Sequence, residues 1–142
     1  MINRTFNFHG VKMSIKVLTS ESNGDYTILD AIHPPNVGPA LHMHPRGSET
    51  FFVIDGDYEF VLDNKPITVK TGGVISIPKG VPHRFLVGSN GGRVIIISPP
   101  ELEHYFSKVS ELLAKGEVSW KTELDIANQH GQIFLDNAKH WS

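Results

Sequence analysis

The residues 42–49, His42-Met43-His44-Pro45-Arg46-Gly47-Ser48-Glu49, place two imidazoles and a carboxylate close together, and His83 offers a third imidazole downstream. In an extended segment the side-chain period of two sends His42 and His44 to one face, so their ring nitrogens can converge on one point. The Pro-Arg-Gly-Ser stretch is turn chemistry that can bring Glu49 back towards that point. Taken singly, each histidine would be read as a hydrogen-bonded core residue and Glu49 as a partner for an arginine. Taken together at this spacing, His42, His44, Glu49 and His83 point to a site for one divalent transition metal per chain. Iron, manganese, nickel, zinc and copper all accept such nitrogen and oxygen donors.

The direction of the carboxylate follows from its neighbours. Runs from Glu49 to Ile54 and from Asp57 to Leu62 flank Asp55-Gly56, a two-residue hairpin signal. That register sets Val53 opposite Tyr58, Phe51 opposite Phe60 and Glu49 opposite Leu62, and opposed residues share a face. Tyr58, Phe60 and Leu62 alternate with Asp57 and Glu59, so the aromatic set, and Glu49 with it, points inward. An inward carboxylate needs a partner, and a metal held with the histidines would be one.

Composition narrows the class. A chain of 142 residues with 39% hydrophobic and 20% charged residues is expected to be one globular domain over residues 1–142. A formal charge of −2, without a basic run, gives no electrostatic footprint for nucleic acid or an anionic membrane. No apolar stretch is long enough to span a bilayer, and the first residues lack the apolar segment of a secretory signal. The chain has no cysteine, which excludes disulfides and thiolate ligands and is compatible with the cytoplasm, the expected location.

The elements that must position the site read as short strands. Val11, Met13, Ile15 and Val17 alternate with polar residues, and a second strand runs from Tyr26 to about His33. Prolines and glycines between residues 34 and 39 force a loop into the histidine strand. Further strands are expected at 67–70, 74–77, from His83 to Val87 and from Arg93 to Ser98, with a turn at Ser89-Asn90-Gly91-Gly92. The pattern predicts an all-β sandwich or barrel over about 5–98. A helical tail over about 99–142 follows. Ser98-Pro99-Pro100-Glu101 reads as a capping box, Leu102, Tyr105, Phe106, Val109, Leu112 and Leu113 keep helical spacing, and Gly116 is the stop. A second helix is expected from about Thr122 to His130, with the tail covering the outer face of the sheet.

These residues resemble the cupin family, and in particular small single-domain quercetin dioxygenase-like cupins. Gly38, His42, His44, Glu49 and Gly56 are similar to the first cupin motif, and Gly72, Pro78, Gly80 and His83 to the second. Gly38 stands closer to His42 than is usual, and Val87 stands where the second motif commonly ends in Asn. The resemblance implies a jelly-roll β-barrel, commonly a homodimer, with His42, His44, Glu49 and His83 as metal ligands inside one mouth. His9, His33, His104, His130 and His140 lie outside the motifs and are read as surface or loop residues. Arg84 is read as a surface residue, because strand alternation points it away from His83.

Three functions from different classes follow. The first is a dioxygenase-like oxidoreductase acting on a small aromatic or enolic substrate. Glu49 would be a ligand and proton acceptor, and Phe51, Val53, Tyr58, Phe60 and Phe85 would line the substrate pocket. The others are a non-redox metal-dependent isomerase or hydrolase, and a non-catalytic module that binds a small ligand. The fold does not choose among them.

Overall fold

Hydrophobic alternation becomes burial strand by strand in the computed structural model, which describes residues 2–142. In β1 (Thr5–Phe8), β2 (Val11–Val17) and β3 (Thr27–His33), Phe8, Val11, Met13, Ile15, Leu29 and Ala31 turn to one face and are buried, while Lys12 and Lys16 face out. Among the described residues the sheet continues through β4 (His42–Met43), β5 (Glu49–Leu62), β6 (Lys65–Val69), β7 (Val74–Ile77), β8 (His83–Ser98) and β9 (Ile133–Phe134). It is antiparallel. The path is β1-β2-β3-β8-β4-β9, and β5 joins β8 along its length while also pairing β6 and β7. The sheet curls as a half-barrel with two helices, α1 (Leu102–Lys115) and α2 (Trp120–Gln129), as the jelly-roll expectation required.

The hairpin expected at Asp55-Gly56 does not form. Residues 49–62 are one continuous strand that runs beside β8 from Thr50↔Ile97 to Leu62↔His83, with register shifts on both sides of Gly56. A bulge that adds a residue changes the side-chain parity, as a two-residue turn would. Glu49, Phe51 and Val53 therefore share the inner face with Tyr58 and Phe60, and the inward orientation stands for a different reason. Gly56 sits at φ +101, and a Cβ there would lie 2.5 Å from the Gly91 carbonyl oxygen, so glycine lets the two strands touch at the bend. The turn expected over residues 89–92 is the matching bend in β8, whose buried set changes from His83, Phe85 and Val87 to Val94, Ile96 and Ser98. The hairpin is one element later, at Asp63-Asn64, where both residues have positive φ and Leu62 pairs with Lys65.

The capping box is also absent. Ser98 stays in β8, Glu101 takes the N-cap position at φ +76, and no side chain caps α1. The Ser98 hydroxyl has a buried partner instead, donating to Glu49 Oε2 at 3.3 Å. Glu103 in the first turn of α1 accepts from the Thr19 backbone N–H and, at 2.7 Å, from its hydroxyl, tying the helix start to the β2–β3 connection. Ser119 does cap α2, accepting from the Thr122 N–H at 3.1 Å.

The tail covers the inner mouth, not the outer face. Leu102, Tyr105, Phe106 and Val109 are buried in the same cluster as Phe8, Met13 and Phe51. Burying large apolar side chains there contributes roughly 2 kcal/mol each. The outer face keeps Phe52, Val74 and Ile97 about half exposed. No helix among the described residues is long and apolar enough to cross a membrane.

Candidate metal centre

The four expected ligands meet. His42 comes from the two-residue strand β4, which pairs with β8 at His42↔His83, so register alone sets these two histidines side by side. Their rings are 4.3 Å apart, and His44 follows 5.1 Å from His42 and 5.0 Å from His83. Glu49 begins β5 on the inner face. One ligand atom from each of the four residues lies within 4.8 Å of the others, and all four residues are buried.

Hydrogen bonding outside the cluster determines what points into it. The Nδ1–H of His42 donates to the Ala40 carbonyl at 2.7 Å, and that of His83 to the Val81 carbonyl at 2.9 Å. A carbonyl only accepts, so in the neutral form each ring carries its proton on Nδ1 and turns a bare Nε2 lone pair inward. His83 Nε2 then stands 3.2 Å from Glu49 Oε1, and His44 Nε2 stands at the same distance from that oxygen. His44 Nδ1 is buried without a partner. With His83 neutral, lone pair faces lone pair between it and Glu49. A cation among them would remove the repulsion, so the donor set fits a divalent metal.

The local electrostatics agree. Burial, reinforced by the charges of His83 and His44, pushes the His42 imidazole well below its usual range, so it is neutral and available as a ligand. Burial would raise the Glu49 carboxyl, but in the metal-free site the charge and hydrogen bonds of His44 and His83, when those rings carry the proton on Nε2, outweigh it and hold the group below the ordinary carboxylate range.

The family pattern described as a cupin domain matches residues 31–98, a span that holds all four of these side chains. Residues 31–98 therefore match the cupin family. An uncharacterised protein of Methanocaldococcus jannaschii is 28% identical to the chain over 86 residues, covering 60% of this chain and 69% of that one. The quercetin 2,3-dioxygenase of Bacillus subtilis is 28% identical over 108 residues, which is 70% of this chain but only 32% of the enzyme. Among solved structures, a cupin-like protein from Thermotoga maritima superposes with a TM-score of 0.58 at 23% identity, over 67% of this chain and 71% of that one.

The expected pocket residues divide. Phe51 and Phe85 line a chamber of about 30 Å³ beside His42 and Glu49. Val53, Tyr58 and Phe60 do not reach it. They lie behind as core, with Phe60 5.0 Å from Phe51 and 5.3 Å from Phe85 between ring centres. Residues from outside the motifs complete the lining, among them Met13, His33, Tyr105, Gln132 and Trp141.

Of the histidines read as surface or loop residues, His33 is neither, and His140 lies in a turn but packs inward. His33 is buried, with Nδ1 2.7 Å from the Tyr58 hydroxyl, and burial pushes its imidazole down to about 3. His140 forms a second cluster with His9 and Glu123, two chain ends and a helix apart in sequence. Its Nε2–H donates to Glu123 Oε2 at 2.6 Å, Tyr105 donates to the same oxygen at 2.6 Å, and His9 donates to Oε1 at 2.7 Å. Burial opposes the charge of Glu123, but His140, His9 and Tyr105 outweigh it and hold the carboxyl at about 2. The inward register of His33 after Leu29 and Ala31 was a signal available in the sequence; no local spacing announces the cluster around Glu123.

Proposed function

We propose that this protein is a metal-dependent, dioxygenase-like enzyme acting on a small aromatic or enolic substrate. His42, His44, Glu49 and His83 would hold the ion. The observation that carries this reading is the buried convergence of His42, His44 and His83 on Glu49, with the far nitrogens of His42 and His83 turned to backbone carbonyls. A bound iron, manganese, nickel, zinc or copper ion would supply Lewis acidity and, in the redox-active cases, electron transfer. The Ala40 and Val81 carbonyls fix the rings of His42 and His83, and Ser98 orients Glu49 through Oε2. Glu49 would accept the proton of a substrate hydroxyl. Paired with two imidazoles it is a weak base, so this role requires it to give up one of those contacts. Phe51 and Phe85 would present ring faces to the substrate, and the similarity to a quercetin 2,3-dioxygenase supports the same substrate class.

The test is metal analysis of protein purified without chelator or affinity tag, followed by oxygen uptake with flavonols, phenols and diketones. Oxygen consumption that needs the metal, and a Glu49→Gln variant that loses more turnover than metal, would support the proposal. Product formed equally well without oxygen would replace it with a non-redox isomerase or hydrolase. A bound ligand with no product under any metal would leave a binding module.

We also propose that two copies pair through the outer sheet face. Val74, Phe52 and Ile95 stand in one row across β7, β5 and β8, with Ile97 beside them, an apolar patch of the kind that marks an interface. Sedimentation should give a dimer, and Phe52→Lys a monomer.

A further inference from the structure

The chamber at the four-residue site holds about 30 Å³, room for a water and not for an aromatic ring. Much of its closure comes from the end of the chain. Leu135 N–H donates to the Leu41 carbonyl at 2.8 Å, Ala40 N–H to His140 Nδ1 at 3.0 Å, and Trp141 N–H to the Gly38 carbonyl at 2.7 Å. Residues 135–141 thus lie along the segment that leads into the histidine strand. The Trp141 indole stacks on the His33 imidazole at 5.7 Å and 10° and sets its edge against Phe8 and Phe85, each at 5.9 Å.

A surface groove of about 580 Å³ shares Pro39 and Phe85 with the chamber and is bordered by Ala138, Lys139 and Ser142, which bracket Trp141. Lys139 and Trp141 sit at φ +50 and +57, a left-handed backbone that bulky residues rarely adopt. Residues 135–139 are exposed, and Trp141 is half-buried. His140 is anchored to Glu123 and Ala40, whereas Trp141 beyond it is held by one backbone hydrogen bond and one aromatic slot, in a conformation that favours release.

We propose that the slot filled by Trp141 is the ring-binding site of the substrate, and that the Trp141 indole is a displaceable plug which occupies it in the absence of ligand while His140 stays on Glu123. A planar aromatic bearing an acidic hydroxyl takes the place of the indole on His33 and turns its oxygen towards the four-residue site. Withdrawal of Trp141 joins the chamber to the groove, giving a space in the range of small-molecule sites. His33 is the stacking platform, held in orientation by the Tyr58 hydroxyl. This deepens the proposed function and rests on its substrate class.

The test uses the full chain with quercetin as the probe, in metal-free and zinc-loaded protein, so that no turnover intervenes. If the plug competes with the ligand, Trp141→Ala should tighten quercetin binding by about tenfold or more in both states. A second measurement leaves the tail intact. Fluorine NMR of fluorotryptophan-labelled Trp120→Phe protein reports Trp141 alone, and its resonance should move to a solvent-exposed position as quercetin binds. Unchanged or weaker binding by a folded Trp141→Ala protein, quercetin binding with the Trp141 resonance unmoved, or no binding to either protein would overturn the proposal. Zinc content of the same samples separates this from the metal reading. Zinc lost while quercetin still displaces Trp141 strikes only the metal reading, and zinc retained with Trp141 unmoved strikes only the plug.

Discussion

His42, His44, His83 and Glu49 on one side, and His9, His140 and Glu123 on the other, are clusters of the same residue types with opposite chemistry. Ala40 separates them. Its carbonyl accepts from His42 Nδ1, which bares Nε2 to the first cluster. Its N–H donates to His140 Nδ1, which forces the proton of that ring onto Nε2 and aims it at Glu123. In the first cluster lone pairs converge and call for a cation. In the second, three donors converge on one carboxylate and satisfy it. Residue type and proximity therefore do not identify a metal site; the partner of the far ring nitrogen does.

The largest effect should come from removing nitrogens of the first cluster. His42→Ala/His83→Ala should lower metal affinity by more than about 100-fold while the half-barrel stays folded. His44→Ala or His83→Ala alone should strip most of the metal. His9→Ala/His140→Ala should leave metal content unchanged, as read by elemental analysis. Equal metal loss from both double variants would erase the distinction.

The next effect belongs to the second cluster. Glu123→Gln replaces an acceptor of three hydrogen bonds by a group that can accept at only one oxygen, and should cost about 3 kcal/mol. That corresponds to a fall of roughly 10 °C in Tm by calorimetry, again without loss of metal.

Acidity sharpens the same contrast. The Glu123 carboxyl is lowered from 4.5 to about 2 in the folded chain. A depressed folded value means that the unfolded chain takes up the proton first. Its contribution is complete above pH 4.5 and is lost as pH falls towards 2. In metal-free protein, unfolding free energy should therefore fall more steeply through this window in the wild type than in Glu123→Gln. His33, lowered from 6.5 to about 3, contributes stability above pH 6.5 that is lost on descending from there, in both proteins alike. Metal, by contrast, should leave as protons compete for imidazole below about pH 6.5. The smallest effect is that of Ser98→Ala, which removes one neutral donor at 3.3 Å from Glu49 and should weaken metal binding by about tenfold or less.

The sequence made the first cluster legible because its geometry is local. His42 and His44 are two apart in an extended segment, and Glu49 heads a run whose aromatic alternation shows its direction. Only the placement of His83 needed a distant partner. The Asp55-Gly56 signal marked a real break in the strand but not its kind, since a bulge and a hairpin turn use the same residues; the deciding contact is with Gly91, far along the chain. Ser98 had the composition of a cap, yet a buried carboxylate outcompeted the helix end for its hydroxyl. The Glu123 cluster joins residues more than a hundred positions apart, and the Trp141 slot depends on where the chain end lands, so neither leaves a periodic trace.

The contrast between the two clusters is tested most directly by anomalous diffraction from crystals of the full chain grown with zinc. A single zinc peak among His42, His44, Glu49 and His83, with none at Glu123, is the predicted result. Zinc bound between His9, Glu123 and His140, or no zinc at the first cluster, would contradict it.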